Sequence, residues 1–231
     1  MSETLFSQIQ RLFERTYAQV GINLEDCLID QSRCRQLTKL AGASARELSE
    51  LARTFLRTSD DQLYVGIYYS DWLIRQLENH DPRAGLTNEN IASLIVFVEE
   101  INHALHAALR FRAGERRIAS ENFARDLELQ ARVDTYLVLL LFVAFFRSTK
   151  RVAPADRHWL RRHLFVRQNP DAFRDPNLRR RYRETTGLAS RYTRFLDTMS
   201  GEPRLREIRA FRTLDYEAKK ARIRDFARAV A

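Results

Sequence analysis

The 231-residue chain is 45% apolar, enough to bury one sizeable core or a main domain with a small appendage. Seven Gly and five Pro, many helix formers and little period-two alternation speak against a β-rich fold and predict an all-α one. Two cysteines, Cys27 and Cys34, exclude a disulfide framework and a C-x-x-C motif, whereas a net charge of +9 keeps anionic partners in view.

Met1 to Gly21 carries Glu3, Arg11, Glu14 and Arg15 through its apolar positions, so it reads as an amphipathic helix and not as a secretory signal. Leu5, Phe6, Ile9, Leu12, Phe13, Tyr17 and Val20 share its apolar side, and packing into a core outweighs membrane-surface binding because the polar face is mixed in sign. A short helix is expected over Glu25 to Lys39, a break at Gly42-Ala43-Ser44, and a helix from Ala45 to Thr58. In the next stretch Val65, Tyr68, Trp72 and Leu77 recur at helical spacing. The two thiols, seven residues apart, suit one buried helical face in a reducing cytoplasm.

The organising element is a helical hairpin over about 87–112 and 120–147. Thr87 and Ser120 are the expected caps, and the connection near Arg112 to Ala119 is short enough to force antiparallel neighbours. With the turn centred near Arg116, residues whose numbers sum to about 232 lie side by side. His106 then falls beside Asp126, His103 beside Leu129 and Gln130, and Glu99 or Glu100 beside Arg132 to Asp134. At about 100° per residue, Glu100 is the expected buried carboxylate, and Asp126, Gln130 and Asp134 face inward. Glu121, Arg125, Glu128 and Arg132 form a ladder of alternating sign that reads as a solvated face.

So many acids on one apolar seam need a counter-charge, either a divalent metal, a shared proton or an Arg. Glu100-Ile101-Asn102-His103 is an E-x-x-H step and resembles locally the E-x-x-H helices of ferritin-like di-metal carboxylate proteins, although no second E-x-x-H occurs. Read one residue earlier, Glu99 to His103 resembles the H-E-x-x-H helix of zinc peptidases, with Glu99 in place of the first His. The resemblance implies that Glu99 and His103 bind metal with Asp126 or Asp134 as third ligand, and a hydrolase is expected in which Glu99, His103 and Asp134 hold Zn, Mn or Fe. Glu100 would be its general base, with Asp126, Gln130 and His106 in support. The competing reading is an ordinary wet edge, with Glu100 paired to Arg132 or Arg125.

The apolar run Tyr136 to Phe146 spans eleven residues, short of the roughly 20 that cross a bilayer, so a buried core helix and no transmembrane segment are expected. From Arg147 the composition shifts. Residues 147–231 hold 23 Lys and Arg against 10 Asp and Glu. Pro154, Pro170, Pro176 and Gly201 to Pro203 cut this part into short basic helices, with Asp175 and Asp215 as caps and His158 and His163 at the surface.

A helical core over 1–150 and a basic helical subdomain over 151–231 are the expected organisation. Arg interleaved with aromatics makes a non-enzymatic adaptor for nucleic acid or an acidic protein the alternative to the metal enzyme. No Gly-rich phosphate loop, G-x-S-x-G or paired cysteine nucleophile is present, and no nucleotide or organic cofactor is indicated.

Overall fold

The computed structural model describes residues 3–41, 47–147, 149–167 and 169–229. It is mostly helical, with one two-stranded antiparallel hairpin. Helix α1 (Leu5–Thr16) starts at Thr4, whose Oγ1 accepts from Ser7 N at 3.0 Å, and it buries Phe6, Ile9 and Phe13 as its periodicity predicts. A 3-10 turn (Leu24–Cys27) and α2 (Gln31–Leu40), capped by Asp30, replace the single helix expected over Glu25 to Lys39. Cys34 is buried but Cys27 only half so, and both are free thiols.

The largest correction to the all-α expectation comes next. Gly42 to Arg46 lie outside the described residues, and the segment read as a helix to Thr58 is strand β1 (Ala52–Ser59). It pairs with β2 (Gln62–Tyr69) from Ala52↔Tyr69 to Ser59↔Gln62, through a turn in which Asp60 and Asp61 take left-handed φ of 51° and 58°. Thr, Phe, Val, Ile and Tyr favour such a pleated surface. No clean alternation betrays it because both faces are covered at its Ala52–Phe55 end, although Arg57 and Tyr64 are exposed further along. Thr54 Oγ1 and Tyr69 OH donate to Glu100 O and Phe97 O, while on the other face Arg53 reaches Thr38 Oγ1 at 2.7 Å and Gly66 packs against Ile29. Trp72 therefore belongs not to a helix with Val65 and Tyr68 but to α3 (Asp71–Asn79).

Helices α4 (Ile91–Arg112) and α5 (Glu121–Phe146) form the expected antiparallel hairpin, turning at Gly114 with φ +96°. Ser120 caps α5 through Phe123 N at 3.1 Å, but Asn90, not Thr87, starts α4. Asn90 accepts from Thr87 N and donates to Gly85 O, which ties the preceding turn to the helix. By length and composition alone both helices could cross a membrane, contrary to the count over 136–146. In this fold 72% and 61% of their most apolar stretches are buried.

The remaining helices are α6 (Pro154–Arg161), α7 (Pro176–Asp197), α8 (Gly201–Thr213) and α9 (Tyr216–Ala229). Asp175 and Asp215 accept from Asn177 N and Ala218 N, as caps should. Helices α7 and α9 lie along α5, and Leu188 and Tyr192 of α7, Phe211 of α8 and Ile223 of α9 pack with Leu129 and Val133. Along the ladder expected to be solvated, Glu121 stays exposed and pairs with Arg125, but Arg125 and Glu128 are half-buried and Arg132 is buried. His163 is likewise buried, 4.9 Å from the Trp159 ring, and not at the surface.

Candidate functional site

Polar residues along the α4/α5 seam fall into two networks with different geometry. The first is tight around its two carboxylates, although Asn102 Oδ1, His106 Nδ1, Gln130 Oε1 and Arg212 Nε and Nη2 are buried without a hydrogen-bond partner among the described residues. Asp134, 1% exposed, accepts from Tyr17 OH, from Gln130 Nε2 at 3.0 Å, and from Asn102 Nδ2 and Arg212 Nη1, each at 2.6 Å. Two turns away Asp126 accepts from Lys219 Nζ at 2.5 Å and meets His106 Nε2 at 2.9 Å, the contact that the register of about 232 places there. Burial and the Lys219 cation push His106 down to about 3, so neutral His106 donates through Nε2. Burial raises the Asp126 pKa, but Lys219 and His106 outweigh it and hold the carboxyl below its ordinary range.

Arg212 and Lys219 from the C-terminal helices are thus the counter-charges that the buried acids require. Sequence reasoning missed both. Lys219 had a signal, since it shares the stripe of Tyr216 and Ile223 on α9, where an apolar residue would be expected.

The second network is open and loose. Glu99, Glu100 and His103 on α4, Glu128 and Arg132 on α5 and Tyr182 on α7 line a cleft of about 320 Å³ roofed by β1. Their ion pairs are long, with Tyr182 hydrogen-bonded to Glu128 and His103 at the outer limit of a hydrogen bond to Glu100. His103 Nδ1 is 3.5 Å from Glu100 Oε2 and His103 Nε2 is 4.0 Å from Glu128 Oε2, while Arg132 lies 3.8 Å from Glu99 and 4.0 Å from Glu128. Glu99 Oε1 and His103 Nε2 are buried without a hydrogen-bond partner among the described residues. The side chains of Glu99, Glu100, His103 and Glu128 keep 13–16% exposure, so the cleft is reachable from solvent.

Electrostatics separates the protonation states in this cleft. Burial lifts Glu99 to about 7 against the opposing pull of Arg132, with Glu128 adding to the rise. Burial also presses the His103 pKa down, but Glu100, Glu128 and Glu99 overcome it and raise it to about 9. The Tyr182 hydroxyl is raised by burial and by the Glu128 charge, and its ring lies 5.4 Å from the Arg132 guanidinium carbon.

The expected metal set is not assembled. Asp134 has both oxygens committed to the closed network, and Glu100, expected to be the buried carboxylate, borders the open cleft instead. Among the described residues no group of three or more His, Cys, Asp or Glu could hold a metal ion. Arg132, standing between Glu99 and Glu128, and protonated His103 are the cations there. Of the predicted residues the structure brings Glu99, Glu100 and His103 together, adds Glu128 and Tyr182, and places Asp126, Gln130, Asp134 and His106 in the closed network. Comparison of the chain with protein-family models, curated proteins and solved structures finds no match.

Proposed function

We propose that the protein is a hydrolase acting by acid–base catalysis in the β1/α4/α5/α7 cleft on a small polar ester or amide. The observation that carries this reading is the looseness of the cleft's charged pairs beside the tightness of the closed network. A set of acids, imidazole and guanidinium held 3.5–4.0 Å apart leaves room for a reacting group that closes the hydrogen bonds. The base expected at Glu100 falls instead to Glu99, whose carboxyl titrates at about 7. Glu99 takes the proton of the attacking water, which adds to the carbonyl carbon. Arg132 faces the oxyanion, and imidazolium His103, oriented by Glu100, gives its proton to the leaving group as the C–O or C–N bond breaks.

The test is an activity screen over small esters and amides with pH-resolved kinetics. Activity should rise as Glu99 deprotonates through about 7 and fall as His103 loses its proton through about 9, a bell between these limbs. Glu99→Gln and His103→Gln should each lower kcat/KM by about 100-fold or more with the far-UV spectrum unchanged. Turnover indifferent to both changes, or stoichiometric metal released by His103→Gln, overturns the reading, the latter in favour of a metal-dependent hydrolase.

A second reading, the adaptor, has its own support. Arg180, Arg191 and Arg194 lie on the exposed side of α7 with no ion pair among the described residues, a face suited to nucleic acid or an acidic protein. Binding of a mixed oligonucleotide that weakens steeply with salt and is lost on Arg191→Glu with Arg194→Glu would favour it.

A further inference from the structure

The apolar run that ends α5 is not buried to its end. Burial stops at Leu140, and Leu141, Phe145 and Phe146 are 51%, 67% and 41% exposed. Phe142, half-buried, borders a cleft of about 300 Å³ shared with Leu12, Arg11 and Arg15 of α1. Steps of four align Leu141 with Phe145 and Phe142 with Phe146, so two adjacent apolar ridges leave the helix on its outer side. One exposed apolar residue needs no explanation, but three large ones within six positions do.

Cations frame these ridges. Lys150 folds back so that its Nζ donates to Phe145 O at 2.6 Å and lies 5.0 Å from the Phe145 ring centre. Arg151 is exposed, and so is Arg15 across the cleft. None of these three has an ion pair among the described residues, whereas neighbouring Arg147 and Arg11 are held by Asp156 and Glu3.

We propose that this end of the hairpin docks on an anionic phospholipid surface. Leu141, Phe145 and Phe146 enter the boundary between headgroups and acyl chains, while Lys150, Arg151 and Arg15 meet the phosphates. Charge selects the occupant. A second copy related by a two-fold axis would bring Lys150 and Arg151 toward their own counterparts, and a purely apolar protein surface would leave them uncompensated. An anionic bilayer supplies apolar depth beneath a negative layer, in the order in which the protein presents its groups.

Flotation of the full chain with vesicles tests this, using zwitterionic phosphatidylcholine alone and phosphatidylcholine mixed with phosphatidylserine. The wild type should float with the mixed vesicles and not with the zwitterionic ones. Phe145→Ser with Phe146→Ser, and separately Lys150→Glu with Arg151→Glu, should each weaken that binding by about tenfold or more. These residues are exposed, so the variants should keep the wild-type melting temperature. The blue shift of a Phe145→Trp reporter on adding mixed vesicles would confirm insertion. Absence of wild-type binding, binding indifferent to the two Phe substitutions, or a wild-type dimer that those substitutions dissociate would overturn the proposal.

Discussion

Asp134 shows what a buried charge demands of single residues. Its two oxygens take four donors, from Tyr17 just after α1 and from α4, α5 and α8, and only Arg212 among them carries a full positive charge. Removing that cation leaves a carboxylate in the interior. Arg212→Met should therefore destabilise by about 3 kcal/mol in urea unfolding, and adding Asp134→Asn should recover part of the loss because the charge is gone as well. His106 carries a second prediction at this scale. Its folded pKa lies at about 3, below the ordinary 6.5, so the fold keeps it neutral while the unfolded chain takes up a proton. The stability it contributes is complete above 6.5 and is lost as pH falls toward about 3. The depressed Asp126 carboxyl acts in the same direction lower in pH, since protonating it removes the partner of Lys219. Stability should thus fall below pH 6.5 by up to about 1.4 kcal/mol per unit from this one site, and His106→Gln should flatten that slope in unfolding curves collected against pH. The His106–Asp126 pair was legible in the sequence because helix rise and a short turn fix the register. Arg212 and Lys219 were not, because they come from helices whose docking no local pattern encodes.

Elements were legible wherever one period dominated. The α4/α5 hairpin has long apolar arms, a Ser120 cap and a Gly114 turn, and each of these local signals points the same way. The β1/β2 hairpin gave a false helical signal for a physical reason. With α4 on one face and α2 on the other at the Ala52–Phe55 end, apolar and polar residues need not alternate there, and Val65, Tyr68 and Trp72 fell by chance at helical spacing. Its turn is a weak joint. Asp60 and Asp61 both sit at left-handed φ, where Asn followed by Gly is the favoured pair for a two-residue hairpin. Exchanging Asp60-Asp61 for Asn-Gly should raise stability by roughly 0.5–1 kcal/mol, net of the exposed Asp61–Arg116 pair at 2.9 Å, which is worth a few tenths. The gain should appear as a higher melting temperature with unchanged activity, because the turn lies at the far end of the strands from Ala52 and Arg53, which line the cleft.

At the scale of the whole molecule, the charge asymmetry read as a binding tail has a second meaning. Residues 147–231 carry the cationic surplus, but many of those cations point inward or across to acids. Lys219 and Arg212 hold Asp126 and Asp134, Arg181 holds Glu121, Lys220 holds Glu184 at 2.5 Å, and Arg157 and Arg161 converge on Asp197. The N-terminal 146 residues, with 16 Lys and Arg against 20 Asp and Glu, are correspondingly short of positive charge. A chain ending at Arg147 would leave Asp134 without Arg212 and Asp126 with Arg110, at 3.8 Å, in place of Lys219, and would bare Leu129 and Val133, which α7, α8 and α9 cover. An orphaned buried carboxylate such as Asp134 costs about 3–5 kcal/mol, and a domain of this size has about 5–15 kcal/mol in all. The truncated chain should therefore fail to give a cooperative thermal transition. Asp126→Asn with Asp134→Asn in that chain should not rescue it, since the apolar faces of α5 remain open to water. A cooperatively folding 1–147 fragment would mean instead that the C-terminal helices are an appendage, and that their cations are free to serve a partner.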